Sequence, residues 1–250
     1  MNAPNENLAI VVPARKNSKR LKDKNSKDFH GFPLFEWSLA AGLFLKQQLR
    51  DSRKVSVICS SDDDQILDLV KRKYSSSVLS VQRCPELSDD KANLSDVIID
   101  CIHKLSVEHM ISLDDYLGGR FILLQPTSPF RSAKDIDSCL ELMTRDGAPS
   151  VVSLCAVRDH PALVFKLQSD KKIAPFLSNP PSQSLRRQDL PAAFKLNGAV
   201  YIANIPWFIK NRTFTAAEAV GYIMPESRSI DIDDAQDLSV AQQLAQEITV

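Results

Sequence analysis

The sequence predicts an α/β fold built on a mostly parallel, doubly wound sheet. Three observations carry that expectation. Short apolar runs of strand length recur through the first half of the chain. Helix-length amphipathic stretches separate them, and the alternation implies right-handed crossovers with helices on both faces. A strongly basic segment follows the first apolar run directly, at the strand end where such sheets gather their ligands. The chain has 250 residues, 44% hydrophobic and 25% charged, which suits one large globular domain with room for a modest insertion.

The elements follow in order. Leu8–Pro13, Lys54–Cys59, Val78–Val81 and Phe121–Leu124 are rich in Val, Ile and Leu and read as buried strands. Leu34–Leu49, Asp63–Tyr74, Leu94–Val107 and Ala133–Arg145 repeat apolar residues at three- and four-residue spacing and read as helices. Asp62 or Asp63, and Ser132, are plausible helix starts, as is Asp90 in its loop. After Ser150 the texture changes. Val151–Val157 and Ala162–Leu167 are expected to pair as strands, and a Pro- and Ser-rich stretch runs from Pro175 to Pro191. Gly198–Ile202 is a further strand, followed by a short turn leading to Ile223. A last helix spans about Ala235 to Glu247. Residues 155–195 are read as an excursion from the sheet, either a small subdomain or an arm reaching another subunit.

Composition excludes several functions. Lys plus Arg and Asp plus Glu number 31 each, so the net charge is zero and a nucleic-acid coat or polybasic membrane binder is not expected. Only 7 glycines occur, and neither GxGxxG nor GxxxxGK[ST] is among the motifs. The 5 cysteines are odd in number and lack a CxxC pair, which argues against a disulfide framework or a zinc site. The 4 histidines show no ligand spacing and no GxSxG is present. Met1–Leu8 lacks a basic-then-apolar signal pattern, and no run approaches the roughly 18 apolar residues of a membrane span, so a cytoplasmic location is the expectation.

Five segments carry chemistry. Arg15 to Lys27 holds seven basic residues and one acid. Phosphates need positive charge and oriented donors, and this loop of Arg, Lys, Ser and Asn supplies both, although a solvated charge run is the plainer reading. Arg83-Cys84-Pro85-Glu86-Leu87 follows a short strand. Leu124-Gln125-Pro126-Thr127-Ser128-Pro129-Phe130-Arg131 ends the strongest strand with donors at its carboxyl end, where Thr-Ser-Pro also serves to start a helix. Arg186-Arg187-Gln188-Asp189-Leu190-Pro191 precedes Asn197-Gly198-Ala199-Val200-Tyr201, in which Asn-Gly is also a turn signal. Finally, in Ser229-Ile230-Asp231-Ile232-Asp233, an extended backbone points Asp231 and Asp233 one way and the two Ile side chains into the core. Two such carboxylates make a hard oxygen site suited to Mg²⁺ with phosphates; the alternative is that Asp233 or Asp234 caps the last helix.

In chain order these segments resemble the acylneuraminate cytidylyltransferase (CMP-sialic acid synthetase) family, which includes enzymes for legionaminic and pseudaminic acids. PARxxSKRLxxKN is similar to the family's nucleotide loop, LLQPTSPFR to its LQPTSPLR, and SIDIDxxxDL to its metal-binding end. The resemblance implies a Rossmann-like sheet of the nucleotide-diphospho-sugar transferase type, with residues 155–195 as an inserted dimerisation arm. It implies CMP transfer from CTP to an acidic nonulosonate with release of pyrophosphate, Mg²⁺ as cofactor and a homodimer. Nucleotide contacts carry over to Arg15, Ser18, Lys24, Asn25, Arg83 and either Asn93 or Ser95. Gln125, either Arg186 or Arg187, Asn197, Tyr201 and Phe214 carry over to the sugar, and Asp231 and Asp233 to the metal. Arg15, Lys24, Asp231 and Asp233 form the expected catalytic set. The loop departs from the family at Asn17 and Arg20, where glycine is common. Alternative readings are a 3-deoxy-manno-octulosonate cytidylyltransferase, a D-x-D sugar transferase, or a nucleotide-binding module without catalysis.

Overall fold

A computed structural model describes residues 7–16, 18–89, 92–108, 118–178 and 186–248. The first half alternates as expected: β1 (Leu8–Pro13), the hairpin β2 (Asp28–Phe29) and β3 (Phe32–Pro33), α1 (Leu34–Leu49), β4 (Val55–Ser61), α2 (Asp64–Tyr74), β5 (Val78–Gln82), α3 (Leu94–Glu108) and β6 (Arg120–Leu123). Then come α4 (Ala133–Asp146), β7 (Ser150–Ala156), the strands β8 (Phe165–Leu167) and β9 (Ile173–Pro175), β10 (Phe194–Asn204), α5 (Ile205–Asn211), β11 (Val220–Ile223) and α6 (Ala235–Ile248). Local chemistry sets the helix starts. Asp63 accepts the Gln65 amide ahead of α2, and Ser132 and Asp135 form a reciprocal capping box ahead of α4.

Seven strands form the main sheet in the order β11-β7-β10-β6-β1-β4-β5. All run parallel except β10, which is antiparallel to both β6 and β7. β1 is buried on both faces. Leu8, Ile10 and Val12 pack with α1, α2 and α4, while Ala9 and Val11 pack with α3 and α5. From β1 the chain winds to β4 and β5 on one side and then crosses to β6 on the other. The carboxyl ends of β1 and β6 therefore flank the topological switch point.

A third apolar cluster sits beyond that edge. Leu21 from the basic loop, Phe29, Leu34, Ile232 and Ala241 are buried together, with Trp37, Phe130 and Leu238 against them. This cluster brings the loop after β1 against the segment that precedes α6.

Three expectations require correction. Residues 162–167 do not pair with β7: Pro161–Leu163 is a 3₁₀ turn capped by the His160 side chain, and Phe165–Leu167 pairs with β9. β7 is instead sandwiched between β10 and β11. The stretch read as a short turn before Ile223 contains α5 and β11; Pro206 in the first turn of α5 is compatible with helix entry. Ser229–Asp233 forms no strand, yet its alternation survives, since Ile230 and Ile232 pack inward while Asp231 is exposed and Asp233 partly so. Asn197-Gly198 lies inside β10, where the pairing with β7 shifts register between Leu196 and Tyr201. No helix of the described residues is long and apolar enough to cross a membrane.

Candidate functional site

The loop after β1 is held in place by short-range chemistry. The Lys16 amide donates to Asp62 Oδ1 (2.8 Å), and the Asn25 side-chain amide donates to the Arg15 carbonyl (2.8 Å). Asn25 is buried, so it serves here by closing the loop on itself. Asp23 takes a left-handed conformation (φ 52°) and redirects the chain into the turn that carries Lys24. Lys24 is buried, and its Nζ donates to the Ile232 carbonyl (2.7 Å) and to Asp233 Oδ1 (3.1 Å). Arg20 reaches the other oxygen of Asp233 at 3.3 Å.

Arg15, Ser18, Lys24, Asn25, Arg83 and Gln125 all line one cleft of about 310 Å³ at the carboxyl ends of β1 and β6, together with Thr127. Arg83 is buried and is aimed by Ser60, whose carbonyl accepts from Nη2 (2.9 Å) and whose hydroxyl accepts from Nε (3.3 Å). Burial lowers its pKa, while the nearby Cys101 and Asp62 act in the opposite direction. A cleft with three cations, two hydroxyls and two amides against one acid, Asp89, is suited to a polyanion.

Next to it, Gly198 adopts φ +73°, and a Cβ there would meet Ser128 Oγ at 2.8 Å and Gln125 Oε1 at 2.9 Å, with Asp231 Cγ at 3.7 Å. Glycine thus lets β10 approach the ends of Gln125, Ser128 and Asp231 closely. Crowding by protein raises Asp231 above the ordinary carboxylate range; the Thr127 hydroxyl opposes this, the Asp233 charge adds to it and Lys24 opposes it. Tyr201 is also raised, by burial and then by the Asp231 charge, against a bond from the Gly198 amide. Beyond Asp231 a second cleft, about 920 Å³, is lined by Arg158, Lys195, Asn197, Glu226, Asp231 and Asp237, among others.

Asp231 and Asp233 offer the hard oxygen donors that Mg²⁺ prefers, and that ion normally completes its shell with water and substrate phosphate rather than with a protein cage. Desolvation is the main upward push on Asp231, and the Asp233 charge adds a smaller one that a bound cation would offset. The donor set therefore fits Mg²⁺. Among the described residues no group of three or more His, Cys, Asp or Glu side chains forms a closed metal site.

Several expected residues have other roles. Phe214 is no pocket wall: it is 8% exposed and packs in the core against Phe121, Phe208 and Tyr201. Asn93 Oδ1 accepts the Ser95 amide (3.0 Å) at the start of α3, which is a capping role. Asn197 borders the second cleft, but its side chain is buried and committed, donating to Ser229 Oγ (2.9 Å) and accepting from Ser153 Oγ (2.6 Å). Arg186 and Arg187 are exposed and line neither cleft; Arg187 Nη2 reaches the Val157 carbonyl at 3.3 Å. Asn17 and Asp90 lie outside the described residues. Sequence reasoning missed Gly198 as the point of convergence and Thr127 as a neighbour of Asp231. Both lie within motifs it had singled out.

Comparison with known proteins agrees with this geometry. The cytidylyltransferase family model matches residues 9–245. An N-acylneuraminate cytidylyltransferase of Streptococcus agalactiae is 30% identical over 228 residues, covering 91% of this chain and 50% of that protein. A CMP-N,N'-diacetyllegionaminic acid synthase of Legionella pneumophila is 30% identical over 239 residues, 95% of each chain. A pseudaminic acid cytidylyltransferase of Campylobacter jejuni is 27% identical over 237 residues, 94% of each. The chain spans about half the length of the N-acylneuraminate relatives it matches. Among solved structures, a CMP:2-keto-3-deoxy-manno-octonic acid synthetase complexed with CTP superposes with a TM-score of 0.62 at 17% identity, covering 97% of this chain and all of that one, and so shares its fold.

Proposed function

The chain belongs to the cytidylyltransferase family, and on that footing we propose that it transfers CMP from CTP to the anomeric hydroxyl of an acidic nonulosonate such as sialic, legionaminic or pseudaminic acid. The observation that carries this reading is Lys24. It lines the cationic cleft and at the same time bonds Asp233, so a triphosphate and the carboxylates that would hold its metal share one edge of the sheet.

In the proposed reaction the acceptor's anomeric oxygen bonds to the α-phosphorus. The bond from that phosphorus to its bridging oxygen breaks in line, and pyrophosphate leaves with the electron pair. Arg15, Lys24 and Arg83 hold the β- and γ-phosphates and balance the charge that grows on the leaving group. Ser18 adds a donor at the mouth of the cleft. Gln125, at the end of β6, orients the acceptor beside Asp231. Mg²⁺ bound at Asp231 and Asp233 supplies neutralisation of the phosphate oxygens. The acceptor's proton leaves to solvent, no side chain being assigned as its base.

The larger cleft beyond Asp231 has the size for a nine-carbon acid; Lys195 and Arg158 are the cations of its wall, beside the acids Asp159, Glu226, Asp231 and Asp237, and Arg158 pairs with Glu226. The excursion at residues 155–195 serves as a dimerisation arm in this account. Its hairpin exposes Leu167 (74%), Ile173 (66%) and Phe176 (56%), an apolar face that a second copy would cover. Arg186 and Arg187, on the same excursion, then reach the neighbouring subunit's acceptor, and Arg is suited to bidentate capture of its carboxylate. A cytoplasmic site of action suits a CTP-consuming enzyme. The curated relatives at 27–30% identity are named for nine-carbon acids, which favours these over an eight-carbon acceptor.

Phosphorus NMR tests the reading. With CTP, Mg²⁺ and a nonulosonic acid, the three CTP resonances should give way to one phosphodiester signal and pyrophosphate. Persistence of intact CTP with every acid would contradict it.

A further inference from the structure

Beneath the switch point lies a cation that the proposed reaction does not use. Arg131 is 5% exposed and follows the Gln125-Pro126-Thr127-Ser128-Pro129 turn. Each of its guanidinium nitrogens has a partner. Nε donates to the Ala199 carbonyl (2.5 Å), Nη1 to Ser38 Oγ (2.7 Å) and Nη2 to the Gln125 carbonyl. Ser38, fully buried on α1, donates in turn to the same Gln125 carbonyl at 3.2 Å. One rigid fork therefore ties three elements together: the end of β6, β10 one residue past Gly198, and α1.

The position of this fork gives it more than a packing role. The clamped carbonyls of Gln125 and Ala199 flank the close approach at Gly198, where a Cβ would meet Ser128 Oγ at 2.8 Å, Gln125 Oε1 at 2.9 Å and Asp231 Cγ at 3.7 Å. A buried arginine with all three nitrogens bonded holds two carbonyls at fixed spacing, and a shift of about 1 Å in such a frame is enough to cost a hundredfold in rate. Burial pushes the Arg131 pKa down to about 9, with Asp135 and Asp231 opposing, so the cation persists at neutral pH and places positive charge behind Asp231. The hydrogen bonds of Arg131 reach none of the described loop residues between Arg15 and Asn25; they act on the site through Gln125, which borders the cationic cleft but carries none of its charge.

We infer that Arg131 is a positioning residue for acceptor transfer: by clamping the Gln125 and Ala199 carbonyls it fixes where the Gln125 side chain, assigned above to the acceptor, sits at the sheet edge, leaving the triphosphate charge to the loop after β1. The inference rests on the CMP-transfer reading. Wild-type turnover must therefore be established first, and a wild-type protein inert with CTP and every acid would overturn the reading itself.

The experiment compares wild type, Arg131→Lys and Ser38→Ala for thermal midpoint, CTP affinity by calorimetry, and kcat and acceptor KM by pyrophosphate release. Lysine keeps the charge but cannot hold three partners in a plane. In Arg131→Lys, kcat over acceptor KM should fall about a hundredfold while the CTP Kd stays within about threefold. Ser38→Ala, which leaves the guanidinium in place with one partner fewer, should lose about threefold to tenfold on the same acceptor constants. Wild-type acceptor constants in a folded Arg131→Lys would overturn the proposal. So would losses in CTP affinity and acceptor turnover of equal size. If Arg131→Lys does not fold, Ser38→Ala decides, and unchanged acceptor constants there would also overturn it.

Discussion

Lys24 Nζ lies 3.1 Å from Asp233 Oδ1, joining the first loop of the sheet to the segment before its last helix. The contact shows how a chain of zero net charge can present a cationic cleft at one edge, as the proposed triphosphate site requires. The basic loop at residues 15–27 and the acidic segment at 226–237 are far apart in sequence and meet at one edge, where the third apolar cluster holds Leu21 against Ile232.

Replacing Lys24 by Ala should weaken CTP use. Removing a charged donor from a phosphate site costs about 1.5–3 kcal/mol, or roughly a ten- to hundredfold rise in the KM for CTP. Steady-state kinetics at saturating acceptor checks this, and an unchanged CTP dependence would refute the phosphate role.

Asp233→Ala should abolish turnover at ordinary Mg²⁺, by about a hundredfold or more, because a metal carboxylate and the partner of Lys24 are lost together. Circular dichroism should show the fold retained, since Asp233 is partly exposed. Near-normal activity would sink the metal assignment.

Gly198→Ala places a Cβ where Ser128 Oγ and Gln125 Oε1 would lie within 2.9 Å, on a backbone at φ +73°. Strain of this kind costs about 1–3 kcal/mol. Both the thermal midpoint and kcat should fall, and a variant as stable and active as wild type would mean that the close approach is dispensable.

Asp135 ties Arg228, the one cation of the acidic segment, to the start of α4. Burial by itself would raise its pKa. The Ser132 hydroxyl and amide, with Arg228, outweigh that and hold it below its ordinary 3.8. A carboxylate depressed in the folded state contributes stability that is complete above the unfolded value and is lost as pH falls through the folded one. Asp135→Asn should therefore melt lower than wild type at pH 7, and the difference should begin to shrink only below about pH 4 and close as pH falls through the still lower folded-state value. Parallel melting curves across that range would remove Asp135 from the account.

Much of this was legible in the sequence because it is local. β1, α1 and the helix starts at Asp63 and Ser132 follow from apolar spacing and capping chemistry within a few residues. The six expected residues that line the smaller cleft, Arg15, Ser18, Lys24, Asn25, Arg83 and Gln125, were legible through the resemblance of their motifs to the cytidylyltransferase family. What the sequence concealed depends on distant partners. Phe214 reads as a free aromatic until Phe121 and Phe208 are brought beside it. The clamp at Arg131 exists only where Ser38, Gln125 and Ala199 converge, and no spacing announces that. The strand expected at 162–167 failed because Pro161 and the His160 cap favour a turn over continued pairing.

The most direct test is a matrix of pyrophosphate release, with ATP, GTP, UTP and CTP each assayed with Mg²⁺ against sialic, legionaminic, pseudaminic and octulosonic acids. The account predicts release with CTP alone, and with a nine-carbon acid in preference to the octulosonic acid. Release with another nucleotide, preference for the eight-carbon acid, or no release with any pair would contradict it.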